Sequence, residues 1–188
     1  MSGHKPCSIV VLRGSPRASG NSDQLADRFC ETAIEAHAEL HDYALRDLEF
    51  SPFGEVADDH QDQLSPALND IVQADIIVLT TPIYFCNMSG LLKGALDRFF
   101  GFLKSDYLTN PEPSILPKGK HLVLLQTQGE GEERYDALLE QYGPGLDKLG
   151  LNERHLVRAC GVREPGDIQV HPTALQNVEA LAKRLTAS

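Results

Sequence analysis

Residues 8–22 read SIVVLRGSPRASGNS, and the fold assignment starts here. The segment from Ser8 to Leu12 is an apolar run, which is typical of a buried strand. From Ser22 onward, to residue 36, apolar residues recur at helical spacing and fall on one face. The segment between them contains glycine, proline, serine, asparagine and arginine but no acid. The stretch therefore predicts a strand, a loop rich in hydrogen-bond donors, and a helix.

The same alternation of strand and helix continues along the chain. The predicted strands are residues 7–12, 40–45, 75–80, 121–126 and 154–160. The predicted helices are residues 22–36, 64–73, 90–103, 135–149 (with an interruption near 143–145) and 173–185, and residues 49–63 and 105–119 are loop-like inserts. Such alternation predicts an α/β fold with a parallel sheet covered on both faces. The strand order 2-1-3-4-5 suits five strands in one small domain.

Composition limits the class of protein. The chain has 188 residues, of which 41% are hydrophobic, and this suits a single domain over residues 1–188 with residues 1–6 as a flexible N-terminus. The formal net charge of −10 argues against a nucleic-acid partner, because such proteins present a basic face. No apolar run resembles a signal peptide or approaches about 18 residues, so we expect a cytoplasmic protein with no membrane partner. The four cysteines form no CxxC pair, which argues against a disulfide framework or a zinc site.

The donor-rich segment has the chemistry of a phosphate-binding loop. Gly14 and Gly20 allow the backbone to turn and to approach a ligand closely. Backbone N–H groups at the start of the following helix add donors and the positive end of the helix dipole. An ordinary turn, with Asn21 or Ser22 as a helix cap, explains the same residues. The side chains that offer donors are those of Ser15, Arg17, Ser19, Asn21 and Ser22.

Missing motifs narrow the class of phosphate ligand. A nucleotide-triphosphate loop requires GxxxxGK[ST], but Gly20 is followed by Asn21. The dinucleotide fingerprint GxGxxG is absent, and the segment contains no cysteine to act as a phosphatase nucleophile. With these three classes excluded, the loop suits a single phosphate group of a larger cofactor. Mainly neutral donors would hold that phosphate.

A second loop follows the third predicted strand, where the predicted strand order reverses and ligands bind in such sheets. It covers residues 81–89 and carries the large apolar side chains of Ile83, Tyr84, Phe85 and Met88. These side chains suit a flat apolar ring with polar edges, although any one of them alone is better explained by packing beneath the end of the sheet. Together, the two loops predict a cofactor with a phosphate tail and an aromatic head.

The segments GSPRASGNS (14–22) and TPIYFCNMSGLLKGALDR (81–98) together resemble the NAD(P)H-dependent FMN reductase family. The resemblance covers residues 8–131 and implies a flavodoxin-like three-layer sandwich that binds FMN and uses NAD(P)H as co-substrate. By matching positions, it implies that the FMN phosphate is held by Ser15, Arg17, Ser19, Gly20, Asn21 and Ser22. It implies that the ribityl chain and ring are lined by Pro82, Ile83, Tyr84, Phe85, Cys86 and Asn87. It also brings Thr127, Gln128 and Gly129 to the pyrimidine edge, where a glycine-rich turn is an equally good explanation.

The chain departs from the family pattern at two places. Some relatives carry a cysteine cluster for an iron–sulfur centre after the second strand, but here that region, residues 48–59, contains no cysteine. Cys86 stands where relatives often have glycine, so its side chain is expected to narrow the pocket or to alter the loop. We expect its thiol to be inert.

The resemblance implies an oxidoreductase in which NAD(P)H reduces FMN and then leaves, and a quinone, azo or nitro compound, free flavin or oxygen takes its place. A non-enzymatic electron carrier and a flavin-binding sensor module are the alternatives. No side chain is assigned as a catalytic acid or base. The histidines and acids His37, His41, Asp58, Asp59 and His60 are better explained as solvated surface than as ligands, so no metal is predicted. Relatives are commonly oligomers, so we expect a homodimer or homotetramer, in which residues 99–103 and 105–119 serve the interface.

Overall fold

The computed structural model describes residues 5–54 and 61–187. Its strands are β1 (Ser8–Arg13), β2 (Glu39–Ala44), β3 (Ile76–Tyr84), β4 (Asn87–Met88), β5 (His121–Gln128) and β6 (Glu153–Cys160). Its α-helices are α1 (Asn21–Glu35), α2 (Ser65–Gln73), α3 (Gly90–Asp97), α4 (Leu138–Gln141), α5 (Gly143–Leu149) and α6 (Pro172–Thr186). Short 3-10 helices cover Leu45–Asp47, Arg98–Phe102 and Asp167–Val170.

The five long strands form one parallel sheet in the order β2-β1-β3-β5-β6. Counted along the chain, this is the predicted order 2-1-3-4-5, and the predicted fold class is confirmed. The short strand β4 lies off this path and pairs antiparallel with the end of β3.

Strand β1 illustrates why the sheet is covered on both faces. Ile9 and Val11 belong to a core formed with α1 and α6, whereas Val10 and Leu12 belong to a second core formed with α2, α3 and α5. All four side chains are fully buried. A strand that is buried on both faces needs consecutive apolar residues rather than an alternating pattern. This is why the run before the first loop could be identified as a central strand.

Three predicted elements end or divide differently in the structure. Strand β3 continues to Tyr84, beyond the predicted end at residue 80. The helical segment that begins at Gly90 is α-helical only to Asp97 and continues as a 3-10 helix. The predicted helix 135–149 is two helices that meet at Tyr142, because Pro144 lacks the N–H that would continue α4 but suits the first turn of a new helix.

Ser89 joins the loop after β1 to the segment after β3. Its hydroxyl donates to the Gly14 carbonyl at 2.5 Å and accepts the Leu92 N–H at 3.2 Å, so it also caps α3. The Gly14 N–H donates to the Thr80 carbonyl at 2.9 Å. A Cβ on Gly14 would lie 2.6 Å from the Leu92 Cβ and 2.7 Å from the Thr80 carbonyl oxygen. Glycine is therefore required for this close approach of backbone to helix.

A buried ion pair connects Arg98, after α3, to Asp62, just before α2. Arg98 donates to Asp62 Oδ2 at 2.5 Å, and the two side chains are only 10% and 8% exposed. The N–H groups of Ser51 and Leu64 donate to the same carboxylate at 3.2 and 3.1 Å. Burial alone would raise the pKa of Asp62, but these hydrogen bonds, first among them that from Arg98, hold its pKa below the ordinary value.

We expect Gly14→Ala to lower the free energy of unfolding by about 1–3 kcal/mol, the range for overpacking a tight site. Urea denaturation measures this change. Gly90→Ala is the matched control, because Gly90 is exposed at the start of α3 and a Cβ there would meet nothing within 4 Å. A Gly14→Ala protein as stable as the control would show that the close approach is dispensable.

We also expect the Asp62 contribution to stability to depend on pH. Because its pKa is lowered in the folded state, the contribution is present above the unfolded pKa of about 3.9 and is lost as the pH falls through the folded value. Asp62→Asn should therefore destabilise the protein at pH 7 by about 1.5–3 kcal/mol, the range for a hydrogen bond to a charged group, and this difference should shrink in acid. Urea denaturation at pH 7 and in acid measures both values.

Asp97→Asn is the control for this series, because Asp97 pairs with Lys93 at 2.5 Å while both side chains remain largely exposed. It should change stability little at either pH. A difference between wild type and Asp62→Asn that stays constant with pH would contradict the assignment.

Candidate functional site

A cavity of about 320 Å³ opens at the carboxyl ends of the central strands. Four segments surround it: the first loop (residues 14–20) with the start of α1, the end of β3, the third loop (residues 129–137) with the end of β5, and the fourth loop (residues 161–166) after β6. Its walls are formed by Ser15, Arg17, Gly20, Asn21, Ser22, Pro82, Ile83, Tyr84, Thr127, Gln128, Gly129, Glu130, Val162, Arg163 and Pro165. Eleven of the fifteen predicted site residues are among them.

The first loop is shaped by the hydroxyl of Ser15 and by the backbone of Ser19. Ser15 Oγ donates to the Arg17 carbonyl at 2.9 Å and accepts the Arg17 N–H at 3.1 Å. Ser19 has a left-handed backbone with a φ of 57°, and its N–H donates to Asp23 at 3.0 Å. Gly20 is extended and occupies the N-cap position of α1 without a side-chain cap. The Ser15 hydroxyl therefore holds the loop in shape.

Ser22 and Arg17 line the cavity with side-chain donors that have no partner among the described residues. Ser22 as a residue is only 2% exposed, but its hydroxyl is open to the cavity and makes no hydrogen bond over residues 5–54 and 61–187. The exposed guanidinium of Arg17 makes no ion pair within the same described residues. The first N–H groups of α1 have no partner within the helix, as at every helix start. The three together could hold an anion, and this group is called the anion site below.

Asp23 connects the first loop to Arg46, which follows β2. Its carboxylate accepts the Ser19 N–H and a hydrogen bond from Arg46 Nη1, both at 3.0 Å. Burial raises the pKa of Asp23, although the charge of Arg46 opposes that effect. No sequence signal marked this residue, because the partner that neutralises it lies after β2.

Asn21 uses its side chain to hold two distant parts of the chain together. Its amide nitrogen donates to the Glu164 carbonyl at 2.9 Å, and its oxygen accepts the N–H groups of Gly166 and Ile168 at 3.1 and 3.2 Å. Asn21 lines the cavity as predicted, but its amide is occupied by the fourth loop. Its backbone N–H, at the start of α1, is what it can offer to a ligand.

The end of β3 forms a hairpin with β4. Tyr84 pairs with Asn87 across a two-residue turn, in which Phe85 and Cys86 have φ values of 47° and 65°. Positive φ at both positions is the type I′ geometry, which favours Asn-Gly and strains other residues. Cys86 thus occupies a backbone conformation that glycine adopts freely.

The hairpin separates the predicted ring-binding residues into two groups. Pro82, Ile83 and Tyr84 line the cavity. The tip points away: the Phe85 side chain is fully exposed, the Cys86 thiol accepts the Tyr135 hydroxyl at 3.4 Å, and the Asn87 side chain accepts the Tyr142 hydroxyl at 2.7 Å. Phe85, Cys86, Asn87 and Ser19 are therefore the predicted site residues that the structure does not bring to the cavity wall.

Two buried glutamines shape the third loop. Gln128 donates to the carbonyls of Gly131 and Arg134 at 2.8 and 2.9 Å, and Gln126 donates to Gln128 Oε1 at 2.6 Å. Thr127, Gln128 and Gly129 all line the cavity, as predicted. The side-chain nitrogen of Gln128 is occupied by the loop itself.

The fourth loop is the wall that sequence reasoning missed. It contributes Val162, Arg163 and Pro165, and the third loop adds Glu130. The Val162 N–H donates to the Gln128 carbonyl at 2.9 Å, which continues the contact between β5 and β6 beyond the sheet. A signal was present, since all parallel strands end at one edge, and the segment GVREPG directly follows the last strand.

Metal ligands and membrane spans were also sought in the sequence. Asp58, Asp59 and His60 lie outside the described residues. His41 faces Asp70 at 2.8 Å, and across the two described ranges no group of three or more metal-ligating side chains forms a potential metal site. Among the same residues, no helix has the length and apolar content to cross a membrane.

Known proteins match this chain over most of its length and share its fold. The sequence model of the family described as having the flavodoxin-like fold matches residues 8–187. A Bacillus subtilis protein, provisionally assigned as an NAD(P)H-dependent FMN-containing oxidoreductase, is 27% identical over 189 residues, which cover 95% of this chain and 98% of that protein.

Two solved structures share the fold at lower sequence identity. An FMN-dependent NADH-azoreductase from Bacillus anthracis, in complex with FMN, superposes with a TM-score of 0.71 at 19% identity, over 95% of this chain and 99% of that one. An NAD(P)H:quinone oxidoreductase from Methanothermobacter marburgensis gives a TM-score of 0.69 at 18% identity, over 96% of each chain. With its sheet order, its strand-end cavity and a family match over residues 8–187, the chain belongs to the family with the flavodoxin-like fold.

Proposed function

We propose that the protein is an FMN-dependent oxidoreductase that passes hydride from NAD(P)H, through FMN bound in this cavity, to a small-molecule acceptor. Quinones, azo and nitro compounds and free flavin are the acceptor classes. The anion site at the start of α1, with the unpartnered Ser22 hydroxyl beside Arg17, is the observation that carries the proposal. This hydroxyl is open to the cavity and has no protein partner among the described residues, so an anionic group of a ligand can accept its hydrogen bond.

The residues around the cavity suit the parts of FMN. Ser22, Arg17 and the first N–H groups of α1 would hold the phosphate, and Gly20 leaves room for its approach. Pro82, Ile83 and Tyr84 would supply an apolar wall for the ribityl chain and ring, and the segment 127–129 would meet the polar edge. Bound FMN supplies the two-electron chemistry, and the protein supplies position, polarity and access.

The comparisons support this function. The name of the Bacillus subtilis relative combines NAD(P)H dependence with FMN, and that protein aligns over nearly the whole chain. The Bacillus anthracis neighbour is an azoreductase solved with FMN, and the Methanothermobacter marburgensis neighbour is an NAD(P)H:quinone oxidoreductase. Azo compounds and quinones are therefore the first acceptors to test.

The position of Cys86 bears on the sensor alternative. A sensor closed by this side chain would need the thiol in the cavity, but the thiol lies outside its wall and contacts Tyr135. Tyr84, on the cavity wall, is 41% exposed. A wall open to solvent suits a protein that admits a nucleotide and an acceptor in turn.

The proposed homodimer or homotetramer is supported by exposed apolar residues in the predicted interface segments. Phe100, Leu108 and Ile115 are each about half exposed or more. Phe100 also packs on Phe53 and Tyr107, with ring centroids 5.0 and 5.4 Å apart. Exposed apolar side chains of this kind suit contact with a second copy.

We expect the purified protein to bind FMN and to oxidise NADH or NADPH only when FMN is present. Absorbance titration measures binding, and nucleotide oxidation with azo and quinone acceptors measures turnover. Parallel lines in double-reciprocal plots would support alternating occupation of one position by nucleotide and acceptor. Failure to bind FMN would exclude the proposal, and FMN binding without nucleotide oxidation would favour the electron carrier.

We expect Arg17→Ala to weaken FMN binding by about 1.5–3 kcal/mol, the scale of a hydrogen bond to a charged group. Riboflavin binding should not change, because riboflavin has no phosphate. Fluorescence titration with both flavins measures the difference. Arg28→Ala is the matched control, since Arg28 lies further along α1 and pairs with Glu31 and Glu179. Equal loss of FMN and riboflavin affinity would contradict the role of Arg17.

A further inference from the structure

Arg163 is a cavity residue whose backbone is held by two separate parts of the chain, the segment after the fourth loop and the end of β5. Its N–H and that of Glu164 both donate to Asp167 Oδ2 at 2.8 Å. The preceding Val162 N–H donates to the Gln128 carbonyl at 2.9 Å. The position of Arg163 beside the end of β5 is therefore fixed on both sides by hydrogen bonds.

The side chain of Arg163 is exposed, but one hydrogen bond and its packing across Gly129 hold it against the third loop. Its Nε donates to the Gly129 carbonyl at 3.1 Å. A Cβ on Gly129 would lie 3.0 Å from Arg163 Cγ and 3.2 Å from Nε, so the absent side chain is what makes room for the arginine. Anchoring through Nε leaves the two terminal nitrogens of the guanidinium for another partner.

The charge of Arg163 has no acidic partner in the structure. Within residues 5–54 and 61–187, its guanidinium makes no ion pair, although the chain carries a net charge of −10. Glu130 lines the same cavity, and the Asp167 carboxylate binds the backbone of Arg163. A preorganised cation on a cavity wall suits an anionic group of a ligand.

The contacts of the fourth loop indicate which part of the ligand Arg163 meets. Glu164, Gly166 and Ile168 contact Asn21 and so lie toward the anion site at the start of α1. Arg163 lies on the other side, against Gly129 of the third loop. Arg17 and Ser22 already serve the phosphate, so Arg163 is the charge available to the rest of the cofactor.

We propose that Arg163 is the residue that stabilises the negative charge of reduced FMN and thereby raises the reduction potential of the bound cofactor. The inference rests on the proposed function and assigns Arg163 to the pyrimidine edge of the ring. Hydride transfer from NAD(P)H adds two electrons and one proton to oxidised FMN, leaves NAD(P)+, and gives reduced FMN one negative charge on that edge. A cation placed there favours the reduced form over the neutral oxidised ring.

The proposed contact predicts different affinities for reduced and for oxidised FMN. A contact that forms mainly with the reduced ring must tighten the binding of reduced FMN more than that of oxidised FMN, and the ratio sets the potential of the bound flavin. A contact to the phosphate would strengthen both equally, because both forms carry the same phosphate.

The test uses Arg163→Gln in the full chain, with midpoint potentials of bound FMN measured by equilibration with reference dyes. We expect oxidised FMN to bind within about threefold of wild type and reduced FMN to lose about tenfold more, on the scale of one charge-assisted hydrogen bond. For a two-electron couple this tenfold ratio lowers the potential by about 30 mV. Arg163→Lys should keep most of the wild-type potential, because it keeps the charge.

Two control variants separate the charge of Arg163 from other effects. Arg158→Gln removes one positive charge and the hydrogen bonds at 3.0 Å to the Glu132 and Arg134 carbonyls of the third loop, but Arg158 does not line the cavity. It should leave the ratio of affinities unchanged. Arg17→Ala should weaken both oxidation states equally.

Three results would overturn the proposal. A wild-type potential in Arg163→Gln would remove the role of the charge. Equal loss of oxidised and reduced FMN, with riboflavin unaffected, would reassign Arg163 to the phosphate. The same fall in potential in Arg158→Gln would assign the effect to the loop. A wild-type protein that binds no FMN would instead contradict the proposed function, so the two failures are distinguishable.

Discussion

The hydrogen bond from Ser89 to the Gly14 carbonyl holds the first loop against the start of α3, and the geometry of the cavity depends on it. Gly14 directly follows β1 and Ser89 follows the hairpin of β3 and β4, and the Gly14 N–H also pairs with Thr80 of β3. This brings the anion site and the apolar end of β3 to the same cavity. A side chain at position 14 would push the two apart, so a backbone constraint, rather than a functional group, determines what the cavity can hold.

The polar residues around the cavity have two different roles. Ser15, Asn21 and Gln128 use their side chains to shape or join loops. Ser22, Arg17 and Arg163 leave donors directed to the cavity or free for a ligand. Hydrogen bonds within the protein thus preorganise the loops, and a small number of unpaired groups provide recognition.

The sequence was sufficient to predict the sheet because its central strands are buried on both faces, and such strands show as apolar runs like those of β1 and β3. The hairpin after β3 was not predictable from composition. Its type I′ turn is formed by Phe85 and Cys86 instead of Asn-Gly, so the usual signal was absent. The tertiary contacts from Tyr135 and Tyr142 that accompany the turn come from distant residues.

The candidate site was predictable where it is local in sequence. The first loop and the start of α1 are contiguous, so glycine spacing and donor types were enough to indicate an anion site. The roles of Asn21 and Arg163 depend on partners on other loops, and pairing across such distances is not encoded in local periodicity. The reversal of strand order indicated ligand binding by the loops after the first and third strands. No site residue was predicted after the last strand, although that strand ends at the same edge of the sheet.

The bonds between Asn21 and the fourth loop have a consequence for folding. They join positions 143 to 147 residues apart, so the first loop can form early in synthesis, but the cavity is complete only when the last strand has been added. A ligand that contacts both the first and the fourth loop would bind the folded domain and not a partly folded chain. Its binding free energy would therefore add to the stability of the entire domain, from β1 to the segment after β6, rather than to the first loop alone.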